Sequence, residues 1–161
     1  MKNSREASIK WESFDSHDEM EASDVALILA ARKALSKVHA PYSKFQVGAA
    51  LLLGNGQIVS GGNFENAAYT MCLCAERTAL ASAASMYPGE VVKKIAVTVK
   101  NPAKPVSQPA SPCGACRQVM LEVELKQGEK MEVFMQGESG PVYKLDSARV
   151  LLPFGFDGSL L

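Results

Sequence analysis

The stretch between Phe45 and Asn63 constrains the fold more than any other. Val47-Gly48-Ala49-Ala50-Leu51-Leu52-Leu53 is a short apolar run that ends in Gly54-Asn55-Gly56, and a second run follows over residues 57–63. Two such runs about a turn signal predict a β-hairpin. Upstream, Ser23 or Asp24 can cap a helix, because a short oxygen-bearing side chain accepts from the free amides of the first turn. Val25, Ile28, Leu29 and Leu35 then recur at helical spacing, and the helix must stop before Pro41. Residues 75–86 are rich in Ala and hold no Gly or Pro, which predicts a buried or half-buried helix. Residues 93–100 carry Ile95, Val97 and Val99 in alternation, a strand, and residues 101–112 hold four prolines, a connecting loop. Cys113 opens another helix through Val119, Met120 and Val123. Residues 131–135 and 142–145 supply two short strands, and Pro153 ends a final helical turn. Helix, hairpin, helix, strand, helix, strand, strand is the order of an α/β domain, three-layer α/β/α with a mixed sheet of about five strands.

Composition narrows the function. The chain has 161 residues, 47% hydrophobic and 21% charged, enough for one domain with a real core. Its apolar runs are too short to span a bilayer, so no membrane partner is expected. Lys plus Arg (17) balances Asp plus Glu (17), which disfavours a nucleic-acid polymer as partner. Residues 1–22 read as a polar arm, with Trp11 and Phe14 as its large apolar anchors, ahead of a single domain over 23–161. A mobile arm is the expectation, against an arm that packs through those two rings. Residues 1–5 lead into this arm without an apolar h-region, so a cytoplasmic chain is expected. The two histidines, His17 and His39, are assigned no role.

The four cysteines fall in two tight pairs, Cys72 with Cys74 and Cys113 with Cys116. In a reducing compartment such pairs point to metal binding or catalysis rather than disulfides. Cys113 and Cys116 lie three apart and share a helix face. Thiolates at helix N-termini are favoured by the dipole and free amides. Cys74, Cys113 and Cys116 would hold one Zn²⁺ per chain and leave the fourth tetrahedral position to water, whose pKa falls to about 7 on such an ion. Glu76, two residues beyond the first ligand, can take a proton from that water and return it to a substrate. Arg77 can hydrogen-bond to the sulfurs and withdraw some of their negative charge. A closed four-cysteine structural site that adds Cys72 is the competing arrangement; otherwise Cys72 is a small buried hydrophobe.

Cys74-Ala75-Glu76-Arg77 with Pro112-Cys113-Gly114-Ala115-Cys116-Arg117 resembles the cytidine deaminase family, whose ligand-x-Glu and Pro-Cys-x-x-Cys pattern is a known one. The resemblance extends to residues 42–50, to Asn63-Phe64-Glu65-Asn66-Ala67-Ala68-Tyr69, and to Leu151-Leu152-Pro153 with Phe156, about residues 23–156 in all. The three-cysteine set is similar to the small homotetrameric branch of that family, with active sites shared between subunits. What this implies is zinc-dependent hydrolysis of cytidine and deoxycytidine to uridine and deoxyuridine, with release of ammonia, in pyrimidine salvage. Glu76 would protonate N3 and relay a second proton to the leaving amine. Asn63 and Glu65 would bind the ribose 3′-hydroxyl, and Phe45 would lie against the base. The Ala75 amide and Ser111 carbonyl would bracket that base. Tyr69 would stand at an intersubunit edge, and Phe156 would reach in from a neighbour. Ala68 stands where many members have Ser. The alternatives are a deaminase of another small aminated nucleoside, such as an aminonucleoside antibiotic, and a polynucleotide editor or non-catalytic zinc module.

Overall fold

The computed structural model describes residues 3–158. Its regular elements are β1 (Glu12–Phe14), α1 (Ala22–Lys33), β2 (Gln46–Leu53), β3 (Ile58–Gly62), α2 (Ala75–Met86), β4 (Val92–Lys100), α3 (Gly114–Gln127), β5 (Glu132–Gln136) and β6 (Val142–Leu145). The strands form one sheet in the order β1-β6-β5-β4-β2-β3. The β2–β3 hairpin pairs Leu52 with Ile58 and Gly48 with Gly62, and β2 also pairs antiparallel with β4. Only β4 and β5 run parallel among the described strands, which makes the sheet mixed.

Alternation along β2 sorts the chain into three layers. Ala49, Leu51 and Leu53 share a core cluster with Ala79, Leu80 and Ala83 of α2 and Met120 of α3. Ala50 joins Leu27, Ile28 and Ala31 of α1, with Phe134, on the opposite face. Helices approach the hairpin very closely. A Cβ on Gly48 would lie 2.2 Å from the Ala31 carbonyl oxygen, and one on Gly61 would lie 2.7 Å from the Ala79 nitrogen. Neither position admits a side chain without moving a helix.

Two expectations are corrected here. Helix α1 starts earlier than a Ser23 or Asp24 cap requires: Glu21 is its N-cap and makes no side-chain capping bond. Asp24 is instead buried at 4% exposure and pairs with Lys94 at 2.5 Å. It lies inside the first turn of α1, past the cap position, with its carboxylate turned to a strand residue. The second correction concerns the arm. Residues 12–14 form the sixth strand, antiparallel to β6, with Ser13 opposite Tyr143. Phe14 packs against the α1-side cluster, and Glu12 lies 3.6 Å from Lys144.

Candidate active site

Cys74 and Cys113 are the N-cap residues of α2 and α3, and neither makes a side-chain capping bond. Both helices lie on one face of the sheet, so the two thiols meet beyond the ends of β3 and β4. The sulfurs of Cys74 and Cys113 are 3.7 Å apart, and those of Cys113 and Cys116 are 3.5 Å apart. All three fall within 4.8 Å of one another. Zinc–sulfur bonds of ~2.3 Å in a tetrahedron demand sulfur–sulfur edges of about 3.8 Å, so this donor set fits the ion. Cys72 stands apart from it. Its Sγ accepts from the Asn66 amide at 3.3 Å and it is only half-buried, which removes the fourth thiol of a closed site.

Charge in the cluster is shared unevenly. A hydrogen bond from the Cys116 thiol, with help from Cys113 and Arg77, lowers the Cys74 pKa to about 5. Cys116 is correspondingly pushed up, because it holds the shared proton and is buried. Arg77 donates from Nη2 to the Cys72 carbonyl at 2.9 Å, which aims its guanidinium along the Cys74 side of the cluster. Glu76 has 3% exposure on α2, and burial pushes its carboxyl above the usual range. A carboxyl so placed takes up a proton more readily than a free one, a property useful to a general acid–base.

These groups open into a cleft of about 390 Å³ that Glu76, Cys74 and Cys113 share with Phe45, Asn63 and Glu65. Its volume lies in the range of small-molecule sites. Asn63 and Glu65 also build the rim. The Asn63 side chain donates to the Phe45 carbonyl at 3.0 Å and accepts from the Val47 amide at 2.8 Å. Glu65 accepts from the Ser43 hydroxyl and from the amides of Tyr42 and Ser43 at 2.9 and 3.2 Å. The Ser43 hydroxyl, followed by those amides, holds the Glu65 carboxyl below its usual range, so it is ionised at neutral pH. Together they fix residues 42–47, where Lys44 takes a left-handed φ of 59° and turns Phe45 into the cleft.

Ser111 lines the cleft; Ala75 lies fully buried behind it at the start of α2. Tyr69 and Phe156 are not brought to the cleft: they are 74% and 57% exposed on the surface. Val47, Val97 and Val99 also line the cleft, as apolar surface. Their alternation marks them as strand residues, but not as residues at an open end. Arg117 is a further residue of the site without a role assigned from the sequence. Arg117 donates to the Pro112 carbonyl at 2.8 Å, the Ser111 hydroxyl at 2.8 Å and the Leu151 carbonyl at 3.1 Å, tying the cleft wall to α3. Its place directly after Cys116 was the available signal.

The α/β/α layering thus gathers three thiols at the edge of the sheet as a donor set for one metal ion. The family model of the cytidine and deoxycytidylate deaminase zinc-binding region matches residues 21–128. A cytidine deaminase of Halalkalibacterium halodurans is 48% identical over 97 residues, 60% of this chain and 69% of that protein. One from Sporosarcina psychrophila is 42% identical over 130 residues, 81% of this chain and 88% of that protein. The crystal structure of cytidine deaminase from Burkholderia pseudomallei superposes with a TM-score of 0.72 at 45% identity, covering 85% of this chain and all of that one (100%). The chain belongs to the cytidine and deoxycytidylate deaminase family.

Proposed function

We propose that this chain hydrolyses cytidine and deoxycytidine to uridine and deoxyuridine, releasing one ammonia per water consumed. The observation that carries the reading is the buried Glu76 carboxyl beside three convergent thiols, at the inner end of a nucleoside-sized cleft in a chain of this family. Cys74, Cys113 and Cys116 would hold the zinc, which would supply Lewis-acid activation of water at neutral pH. Glu76 takes a proton from the attacking water and delivers it to N3, which makes C4 electrophilic. The water oxygen becomes the C4 carbonyl oxygen, and Glu76 carries the second proton to the amine as the C4–N bond breaks and ammonia leaves. Arg77 draws charge from the Cys74 sulfur, and Phe45 lies against the base, which the Ala75 amide and Ser111 carbonyl bracket.

Asn63 and Glu65 bind the ribose 3′-hydroxyl in this reading. Their rim bonds leave capacity for it: an amide nitrogen has a second hydrogen, and an ionised carboxylate accepts about four bonds. Their work is orientation, since binding energy away from the reacting centre fixes the attack geometry. A continuous ultraviolet assay should therefore show cytidine and deoxycytidine converted, with kcat/KM on free cytosine lower by ~10² or more. Comparable rates on cytosine would remove the sugar-binding role from Asn63 and Glu65. An aminonucleoside antibiotic is not favoured as substrate, because the relatives named above are cytidine deaminases.

The working form in this reading is a homotetramer in which Tyr69 and Phe156 complete a neighbour's site. Their exposure on the single chain supports it, since large apolar rings are otherwise costly to leave in water. Light scattering should report four chains, and a fully active monomer would contradict the shared site. The setting we infer is cytoplasmic pyrimidine salvage. All four thiols are free, as a reducing compartment allows, and no helix among the described residues is long and apolar enough to cross a membrane.

A further inference from the structure

The arm passes beside the loop that walls the cleft. Trp11 directly precedes β1, and its ring centroid lies 6.1 Å from that of Tyr143. The indole lines a hollow of about 290 Å³ with Tyr143, Pro109, Ser111, Met135 and Leu145. Ser111 lines the catalytic cleft as well, next to Ala110 and Cys113. One short loop segment thus separates the arm from the substrate site. That segment is tied at both ends. Arg117 grips Ser111 and Pro112, and Val106 exchanges bonds with the Glu138 amide at 2.7 Å and the Glu138 carboxylate at 3.2 Å. Between these ties, Pro109 and Ser111 line the same hollow as Trp11, Tyr143, Met135 and Leu145, and Trp11 is the largest side chain that lines it.

The strand that presents Trp11 is itself anchored. It pairs with β6, Glu12 faces Lys144, and His17 beyond it is 3.2 Å from the Gln136 side chain. An arm that only covered the edge of β6 would need the strand but not the indole, which stays 57% exposed. We propose that the arm braces the catalytic cleft, with Trp11 as a positioning residue that fixes residues 109–111 and through them the fit of the substrate. The brace rests on the reading of the cleft as the cytidine site.

The test uses the full zinc-loaded chain as wild type, Trp11→Ala and Trp11→Phe, with kcat, KM and zinc content measured on each. A wall that contacts substrate in ground and transition states alike should move KM and spare kcat. We expect Trp11→Ala to raise KM for cytidine by about tenfold with kcat within about twofold, and Trp11→Phe to recover most of the loss. Trp11 is the single tryptophan, so its emission also reports on the wild-type loop directly. Uridine should shift that emission with the same midpoint at which it inhibits turnover. An unchanged KM in Trp11→Ala overturns the brace. If that variant fails to fold or loses zinc, the wild-type emission decides, and a spectrum unmoved by saturating uridine overturns it. Wild type that binds uridine with an emission shift but does not turn over cytidine would strike the substrate reading and leave the brace standing.

Discussion

Glu76→Gln should retain zinc and fold while losing turnover by about 10³–10⁴-fold, the upper part of the range for general acid–base catalysis. The upper part applies because, in the mechanism proposed above, one carboxyl serves two proton transfers. Glutamine keeps the shape and one acceptor but cannot carry a proton between water, N3 and the amine. The fold should not suffer. Glu76 is buried at 3% exposure, and burial already penalises its charged form, so a neutral amide relieves a cost. The measurement is the ultraviolet assay on matched samples with zinc content and a thermal melt. A variant that kept a tenth of wild-type turnover would take the proton-relay role away from Glu76.

Removing the metal should abolish turnover and destabilise the whole chain. The three thiols come from two helix starts, so a zinc ion held by them would join α2 to α3. Zinc held in about 1,000-fold excess over its Kd stabilises the folded chain by about 4 kcal/mol. At roughly 2–4 °C per kcal/mol for a domain of this size, a strong chelator should lower Tm by about 8–16 °C. One equivalent of zinc should restore both Tm and activity. Cys113→Ser should behave as the chelated wild type does and should not be rescued at the same zinc concentration. A chelated chain that melted where the loaded one does would mean that the cluster holds no ion in solution.

Local chemistry was the legible part of this sequence. The helix over residues 75–86 and the strand over 142–145 have the predicted bounds, because Pro88-Gly89 follows the first run and Gly140-Pro141 and Asp146-Ser147 bracket the second. The thiol set was readable because Cys113 and Cys116 are one helical turn apart and Cys74 begins a run without breakers. Distant pairings were not readable. Strand β1 has three residues and no alternation, and it exists because β6, far along the chain, offers a free edge. Asp24 is likewise a good cap by composition, yet it lies inside the first turn of α1 and pairs with Lys94, 70 residues away. The same limit hid the valines of the cleft: alternation assigns a face, while the order of strands decides which end stays open. The rim bonds of Asn63 and Glu65 belong to this group too, since they depend on how residues 42–47 turn.

The contact at Gly61 reaches further than packing. A Cβ there would meet the Ala79 nitrogen at 2.7 Å and the Ala75 carbonyl oxygen at 3.0 Å, in the first turns of the helix that carries Cys74 and Glu76. Any side chain would lift that helix by some tenths of an ångström, and reacting groups displaced by about 1 Å can lose a hundredfold in rate. The backbone of β3 therefore acts as a gauge block for the reaction. It sets the height at which the proposed proton relay rides above the sheet, from a position outside the lining of the cleft.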